Sequence, residues 1–306
     1  MLAEAASGIQ GSRALCLREN CVRIGGLSLT LSGVSSDDVR VNRELDVFRD
    51  DSQVPNINVN VEWAEKLQPW RGERIFDSGA LWTLFRDGAE FIFDFTSSVF
   101  GDCPYKRLRA DRGFRRAQLI LNREALQEFR PVYPLEYPAD ELLITNYLAT
   151  GLGVEVHACG LVDSETGGHL FLGHSGAGKS TTTRLWKSLR NTQILSDDRI
   201  ILRLHGGELW MYGTPWHGEA AFAMPGSAPI RRIFIIEHGD PNQITPLARS
   251  QAVGELFARS FPPFHNASAL ERTVGFLGQV LETVPCYRFQ FIPDARAVDA
   301  VLGFYD

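Results

Sequence analysis

Along the first 130 residues the apolar positions fall in short alternating runs, which predicts strands rather than helices. Leu81 to Leu84 and Glu90 to Phe95 flank Arg86-Asp87-Gly88, a hairpin turn signal. Within the second run Phe91, Phe93 and Phe95 alternate with Ile92 and Asp94, the pattern of a strand packed mainly on one face. Arg115 to Asn122 gives another strand through Leu119, Ile120 and Leu121. The pattern changes at Arg130-Pro131-Val132-Tyr133-Pro134 and again at Tyr137-Pro138, where closely spaced prolines disfavour helix and mark a connection.

From Ala139 to Thr150 the period lengthens to that of a helix, with Leu142, Leu143, Tyr147 and Leu148, closed by Gly151 and Gly153. Strands are predicted over Val154–Ala158, His169–Leu172, Ile194–Leu195, Ile230–Ile236 and Cys286–Ile292. A Gly206-Gly207 turn separates two more, Arg199–Leu204 and Glu208–Tyr212. Helices are predicted over Lys179–Leu189, Leu247–Ser260, Ser268–Thr283 and Asp294–Leu302. Hairpins after the first strand–helix unit break any regular βαβ alternation and argue against a simple Ras-like or RecA-like architecture. The expected class is mixed α/β, with a β-rich domain over 1–135 and a second domain over 136–306. The first domain holds no catalytic cluster, and substrate recognition and oligomerisation both stay open for it.

With 306 residues, two domains can each bury a core. The net charge of −6 argues against a general nucleic-acid binder, which needs a basic surface to release counterions. The basic stretch Lys106 to Arg116 reads as a solvated charged face. No apolar run approaches the length of a membrane span, and Met1 to Gly11 reads as an Ala-rich lead-in without a signal-peptide pattern. Cys16, Cys21, Cys103, Cys159 and Cys286 are scattered without a C-x-x-C pair, which suits reduced thiols in a cytoplasmic protein.

Residues Gly173-His174-Ser175-Gly176-Ala177-Gly178-Lys179-Ser180 match the phosphate-cradling pattern G-x-x-x-x-G-K-[ST]. Glycines without a Cβ let such a loop turn its backbone N–H groups onto a polyphosphate. Lys179 can place a charge on the β/γ oxygens, and the Ser180 hydroxyl can ligate Mg²⁺. The predicted strand before the loop and helix after it supply the setting in which a helix N-terminus attracts phosphate. A nucleotide such as ATP is therefore expected at residues 173–181, Thr181 included.

Two further features gain meaning beside that loop. Ser196-Asp197-Asp198 follows a predicted strand end; such a pair is either a turn with a capping Asp or a metal ligand plus a proton acceptor. His157 sits in a predicted strand, where a histidine is a core residue unless something nearby gives it work.

The string His157-Ala158-Cys159-Gly160-Leu161-Val162-Asp163, then Leu170 to Gly173 and Ser175 to Ser180, then Leu195-Ser196-Asp197-Asp198 resembles the catalytic core of HPr kinase/phosphorylase. The resemblance runs from about residue 136 to the C-terminus and is densest over 154–200. It implies a phosphoenolpyruvate-carboxykinase-like P-loop kinase domain preceded by the smaller β-rich α+β domain, using ATP and Mg²⁺, and an oligomer. By position it implies that Asp198 accepts the proton of an attacking hydroxyl and that His157 tunes that carboxylate. Lys179 would neutralise the transferring phosphate, Ser180 would bind the metal, and Asp197 would support it. Glu219, in Gly213-Thr214-Pro215-Trp216-His217-Gly218-Glu219, is the candidate further metal ligand, with an exposed loop acid as the alternative. Trp216 reads either as a substrate-facing aromatic or as a half-buried loop residue.

The family's Pro-Gly-Arg-Asn loop is absent; Arg259-Ser260-Phe261-Pro262-Pro263-Phe264-His265-Asn266 occupies that region, and Thr181 replaces an acidic residue. HPr as acceptor, and phosphorolysis, are therefore not carried over. Gly213 to Trp216 and Tyr137-Pro138-Ala139-Asp140-Glu141-Leu142-Leu143 look more like the divergent relatives, which include kinases for serine on lasso peptides and for free serine. The expectation is a kinase for a hydroxyl, serine foremost, of a peptide, protein or small molecule. The alternative is a nucleotide-binding regulatory or assembly module without phosphotransfer. Carboxykinase chemistry would need a further metal and an oxaloacetate-binding Arg/Lys set, which the sequence does not show.

Overall fold

The computed structural model describes residues 21–33, 40–51, 54–129 and 131–304. The lead-in over residues 1–11, Cys16 and Arg130 lie outside the described residues. Two mixed sheets dominate, each of eight strands. The first runs β1 (Cys21–Ile24), β2 (Leu27–Ser32), β3 (Ile57–Ala64), β4 (Glu73–Asp77), β5 (Trp82–Asp87), β6 (Glu90–Phe95), β7 (Lys106–Ala110) and β8 (Arg116–Asn122). Its spatial order is β1-β2-β3-β8-β7-β6-β5-β4. β3 lies parallel to β2 and β8, and the remaining neighbours are antiparallel.

Two sequence expectations for this sheet fail for one reason: interior strands bury both faces. β6 lies between β5 and β7, so Ile92 and Asp94 are as enclosed as the three phenylalanines. The stretch Lys106 to Arg116 is a solvated face only in its second half, where Arg112, Arg115 and Arg116 are exposed; β7 is interior, and Lys106 and Arg107 are buried. Each charge has its partner inside: Arg107 Nε and Nη2 donate to Asp94, and Lys106 Nζ donates to Glu136. The β5–β6 hairpin forms as expected, but Asp87 already pairs with Glu90, so the turn is Gly88-Ala89.

A short α1 (Arg123–Leu126) and then α2 (Ala139–Leu148) lead into the second sheet. That part comprises β9 (Val154–Asp163), β10 (Gly167–Leu172), α3 (Lys179–Leu189), β11 (Thr192–Ser196), β12 (Arg199–His205), β13 (Glu208–Gly213), β14 (Ser227–His238) and β15 (Gln243–Pro246). α4 (Arg249–Phe257), α5 (Ala267–Thr283), β16 (Cys286–Phe291) and α6 (Ala295–Leu302) complete it. Alternation along the strands feeds two apolar layers. Leu170, Leu172, Ile233 and Ile235 join a core with Leu256 of α4 and Leu277 of α5, while Phe171, Phe234 and Ile236 join Trp186 of α3 and Val298 of α6. Among the described residues no helix is long and apolar enough to cross a membrane, and Cys103, Cys159 and Cys286 carry free thiols.

The feature that builds the site is a change of partners along β9. Its first residues, Val154 to His157, pair with β12, whereas Ala158 to Asp163 pair with β10. At the changeover His157 lies opposite Arg199 and Ala158 lies opposite Leu172. The end of β10, the start of β12 and His157 are thus forced to one corner by register alone.

Candidate functional site

β10 ends at Leu172 and α3 begins at Lys179, so the octapeptide spans the strand-to-helix connection expected from the sequence. The loop holds Gly176 at φ 80° and Gly178 at φ 100°, a left-handed backbone that favours glycine. Lys179 is buried, and its Nζ donates to the carbonyls of Gly173 and His174. Burial pulls its pKa down from the usual lysine value, partly opposed by Asp198 and other nearby groups. A phosphate arriving in the loop would give this desolvated ammonium a stronger partner than two carbonyls.

A cleft of about 410 Å³ opens beside the loop. Ser175, Gly176, Gly178, Lys179, Ser180 and Thr181 line one side, and His157, Asp198 and Glu219 face them. Gly173, His174 and Ala177 complete the loop without lining that space; Gly173 N donates to His157 O at 3.4 Å, tying loop to strand. The sequence-predicted residues therefore gather in one place, apart from Asp197.

Asp198 is held through both of its carboxylate oxygens. Its Oδ1 is 2.9 Å from His157 Nε2, and its Oδ2 accepts from Arg199 Nε at 2.9 Å. Burial alone would raise this carboxyl, but the His157 and Arg199 bonds and charges outweigh it and hold the group well below the usual carboxylate range. Asp198 is accordingly ionised at neutral pH and fixed in direction.

Asp197 is turned away and buried, and its carboxylate accepts backbone N–H groups from Gly218, Ala220 and Phe222 at 3.1, 2.9 and 3.2 Å. Three donors on one carboxylate make it the anchor of the 218–222 segment, which places the exposed Glu219 at the cleft. Trp216 is no substrate-facing aromatic: it is buried, and its Nε1 donates to Asp140 Oδ2 at 2.9 Å.

Five participants are not among the site residues expected from the sequence. Arg199 Nη1 donates to Glu141 at 2.7 Å and Glu155 at 3.0 Å, so one guanidinium gathers three carboxylates. Burial, followed by the neighbouring Glu141 charge, pushes the Glu155 carboxyl well above its ordinary value, which favours its neutral form and lightens the negative charge around Arg199. On the loop side His238 Nε2 lies 3.1 Å from Gly176 O, and Arg184 lines the cleft. Glu155 reads as an ordinary polar position in a strand, and His238 lies beyond the strand expected over Ile230–Ile236; only the fold brings them in.

No group of three or more His, Cys, Asp or Glu side chains among the described residues forms a ready-made metal cage. A magnesium ion does not need one, since it keeps waters and takes phosphate oxygens with one or two protein ligands. Ser180 and the nearby Glu219 and Asp198 carboxylates fit that requirement.

No known family model matches the chain, and no curated protein matches it. Among solved structures, the Hpr(Ser) kinase/phosphatase from Coxiella burnetii is similar at 14% identity, covering 49% of this chain and 93% of that one, with a TM-score of 0.29. Agreement that low carries no weight for the site, whose reading rests on its own geometry.

Proposed function

We propose that the chain is an ATP- and Mg²⁺-dependent kinase that transfers the γ-phosphoryl group to a hydroxyl, serine foremost, of a peptide, protein or small molecule. The observation that carries this reading is the His157–Asp198 pair, 2.9 Å apart, facing Lys179 and Ser180 across the same cleft. A phosphate-binding loop alone needs no half-buried, oriented carboxylate opposite it.

In the proposed reaction the acceptor oxygen forms a bond to the γ-phosphorus, the bond to the bridging oxygen breaks and ADP leaves. The hydroxyl proton passes to Asp198. Because His157 and Arg199 hold its pKa low, Asp198 is a weak base, suited to a loose transition state in which the proton leaves late. Lys179 supplies charge to the phosphate oxygens, and the loop N–H groups position them. When bound, the magnesium ion would neutralise β- and γ-phosphate charge, held by the Ser180 hydroxyl and Glu219, with Asp197 fixing the segment that carries Glu219.

Purified protein with labelled ATP, Mg²⁺ and a panel of hydroxyl acceptors tests the proposal. Asp198→Asn is expected to keep nucleotide binding while transfer falls about 10²- to 10⁴-fold, the usual worth of a general base. Undiminished transfer by that variant would remove Asp198 from its role. Tight ATP binding without transfer to any acceptor would favour the regulatory-module reading.

A further inference from the structure

A second cavity, about 380 Å³, is lined in part by Arg199, the guanidinium bonded to Asp198. Its walls come from both halves of the chain: Phe76 and Trp82 from the first sheet, Leu142 from α2, and Phe261 and Phe264 from the segment following α4. Its lining is mostly apolar and aromatic. Among the described residues the one cation on its surface, Arg199, is already shared among Asp198, Glu141 and Glu155. His265, also in the lining, packs against the Phe76, Phe91 and Phe93 rings, and burial pulls its pKa down to about 4, so it is neutral. The cavity therefore has no free charge to offer a charged ligand and much apolar surface to offer an uncharged one.

Its position relates it to the reaction. Phe261 stacks its ring 3.7 Å from the Arg199 guanidinium carbon and stands 6.1 Å, centroid to centroid, from the His157 ring. The backbone locks this arrangement, since His157 N donates to Arg259 O and Phe261 N donates to Glu155 O. One layer, Arg199 and Phe261, thus separates the cavity from Asp198. An acceptor must reach the γ-phosphorus from the side opposite the departing ADP, which is the side of the base.

We infer that this cavity takes a large apolar or aromatic group borne by the phosphate acceptor next to its hydroxyl, so that the first sheet selects the substrate. The inference rests on the kinase reading and narrows it. The ligand chemistry is an alcohol a few bonds from an aromatic or branched aliphatic group, in a peptide or a small molecule. Burying such a group is worth enough to give at least about tenfold discrimination over a methyl group.

Full-length protein with ATP and Mg²⁺ is given N-acetyl-seryl-phenylalanine amide, N-acetyl-phenylalanyl-serine amide, the two alanine counterparts, phenylalaninol and free serine. At least one aromatic acceptor is expected to exceed its counterpart about tenfold in kcat/KM, and peptide against phenylalaninol separates the two sources. Phe264, 60% exposed, can change without unfolding the protein. Phe264→Asp, which changes a wall of the cavity, should collapse the preference, read as the ratio of aromatic to alanine kcat/KM. Equal rates for aromatic and alanine acceptors, or a preference untouched by Phe264→Asp and by Trp82→Ala, would overturn the inference and leave the kinase standing. The same peptides are titrated by fluorescence with Trp82→Phe as control. A fluorescence change given by the aromatic peptides only, lost with the reporter in Trp82→Phe and weakened in Phe264→Asp, with no transfer to any acceptor, would uphold the cavity and refute the kinase. Absence of both binding and transfer would refute both.

Discussion

Asp140 concentrates several demands in one side chain. It is buried within α2, accepts from Trp216 Nε1 and caps Glu141 N. Burial pushes its carboxyl up to about 7, and those two hydrogen bonds only partly oppose the rise. An unfolded chain releases this proton near 3.8, so between 3.8 and about 7 the folded state holds a proton that the unfolded state has lost. Stability contributed by the neutral form is therefore lost as pH rises through that window, and the penalty is complete above about 7. Asp140→Asn keeps an oxygen for Trp216 and cannot ionise. Its melting temperature relative to wild type should rise between pH 5.5 and pH 8.5, by an amount on the order of a few kcal/mol in stability. A difference independent of pH would show that Asp140 is charged or neutral throughout. The contrast with Asp198 is instructive: both carboxyls are desolvated, but only Asp198 has a guanidinium and an imidazole on it.

At the scale of elements, the strand–loop–helix unit makes the next prediction. A Cβ on Gly178 would lie 2.6 Å from Phe291 Cζ and 3.2 Å from His238 Cε1, whereas one on Gly176 would meet nothing within 4 Å. Both residues have positive φ, so Ala costs roughly 1–2 kcal/mol of backbone strain at either. The difference between the two variants isolates the collision. Gly178→Ala should abolish the rise in melting temperature on adding ATP, and Gly176→Ala should weaken it; equal effects would mean that the Phe291–His238 wall yields freely. These elements were legible because each has a local signal: Lys179–Leu189 has its helical period, Asp294 its capping position before α6, and Gly206-Gly207 its turn. β1 to β4, β7 and β15 carry no such local signal, since their placement depends on neighbours distant in sequence. Lys106 and Arg107 misled because no local pattern says that Glu136 and Asp94 will meet them indoors. The site divides the same way: the loop, His157 and Asp197-Asp198 stand in motifs, while Arg199, Glu141 and Glu155 converge only through the pairing of β9 with β12 and the docking of α2.

Across the whole molecule the two sheets share apolar core, and this sets an expectation for cutting the chain at residue 135. One cluster joins the strands of the first sheet to Leu143, Ile144, Tyr147 and Leu148 of α2, and draws in Ile201 of β12 and Trp216. At the opposite end of the contact Arg203 Nη1 donates to Gly25 O at 3.1 Å, holding the β1–β2 turn onto β12. Removing the first sheet would bare four large α2 side chains, each worth roughly 1.5–3 kcal/mol when buried. That sum is comparable with the whole stability of an ordinary domain, about 5–15 kcal/mol. The full chain should melt in one cooperative transition. The fragment 136–306 produced alone should bind a hydrophobic dye and lack a sharp melt, even though it carries the entire phosphate loop. The same loss would open the cavity beside Arg199 and free Glu141 on α2, so the fragment should also fail to gain stability from ATP and Mg²⁺. A fragment that melts sharply and responds to nucleotide would show instead that the first sheet is an accessory, and that the α2 side chains find cover within the second half.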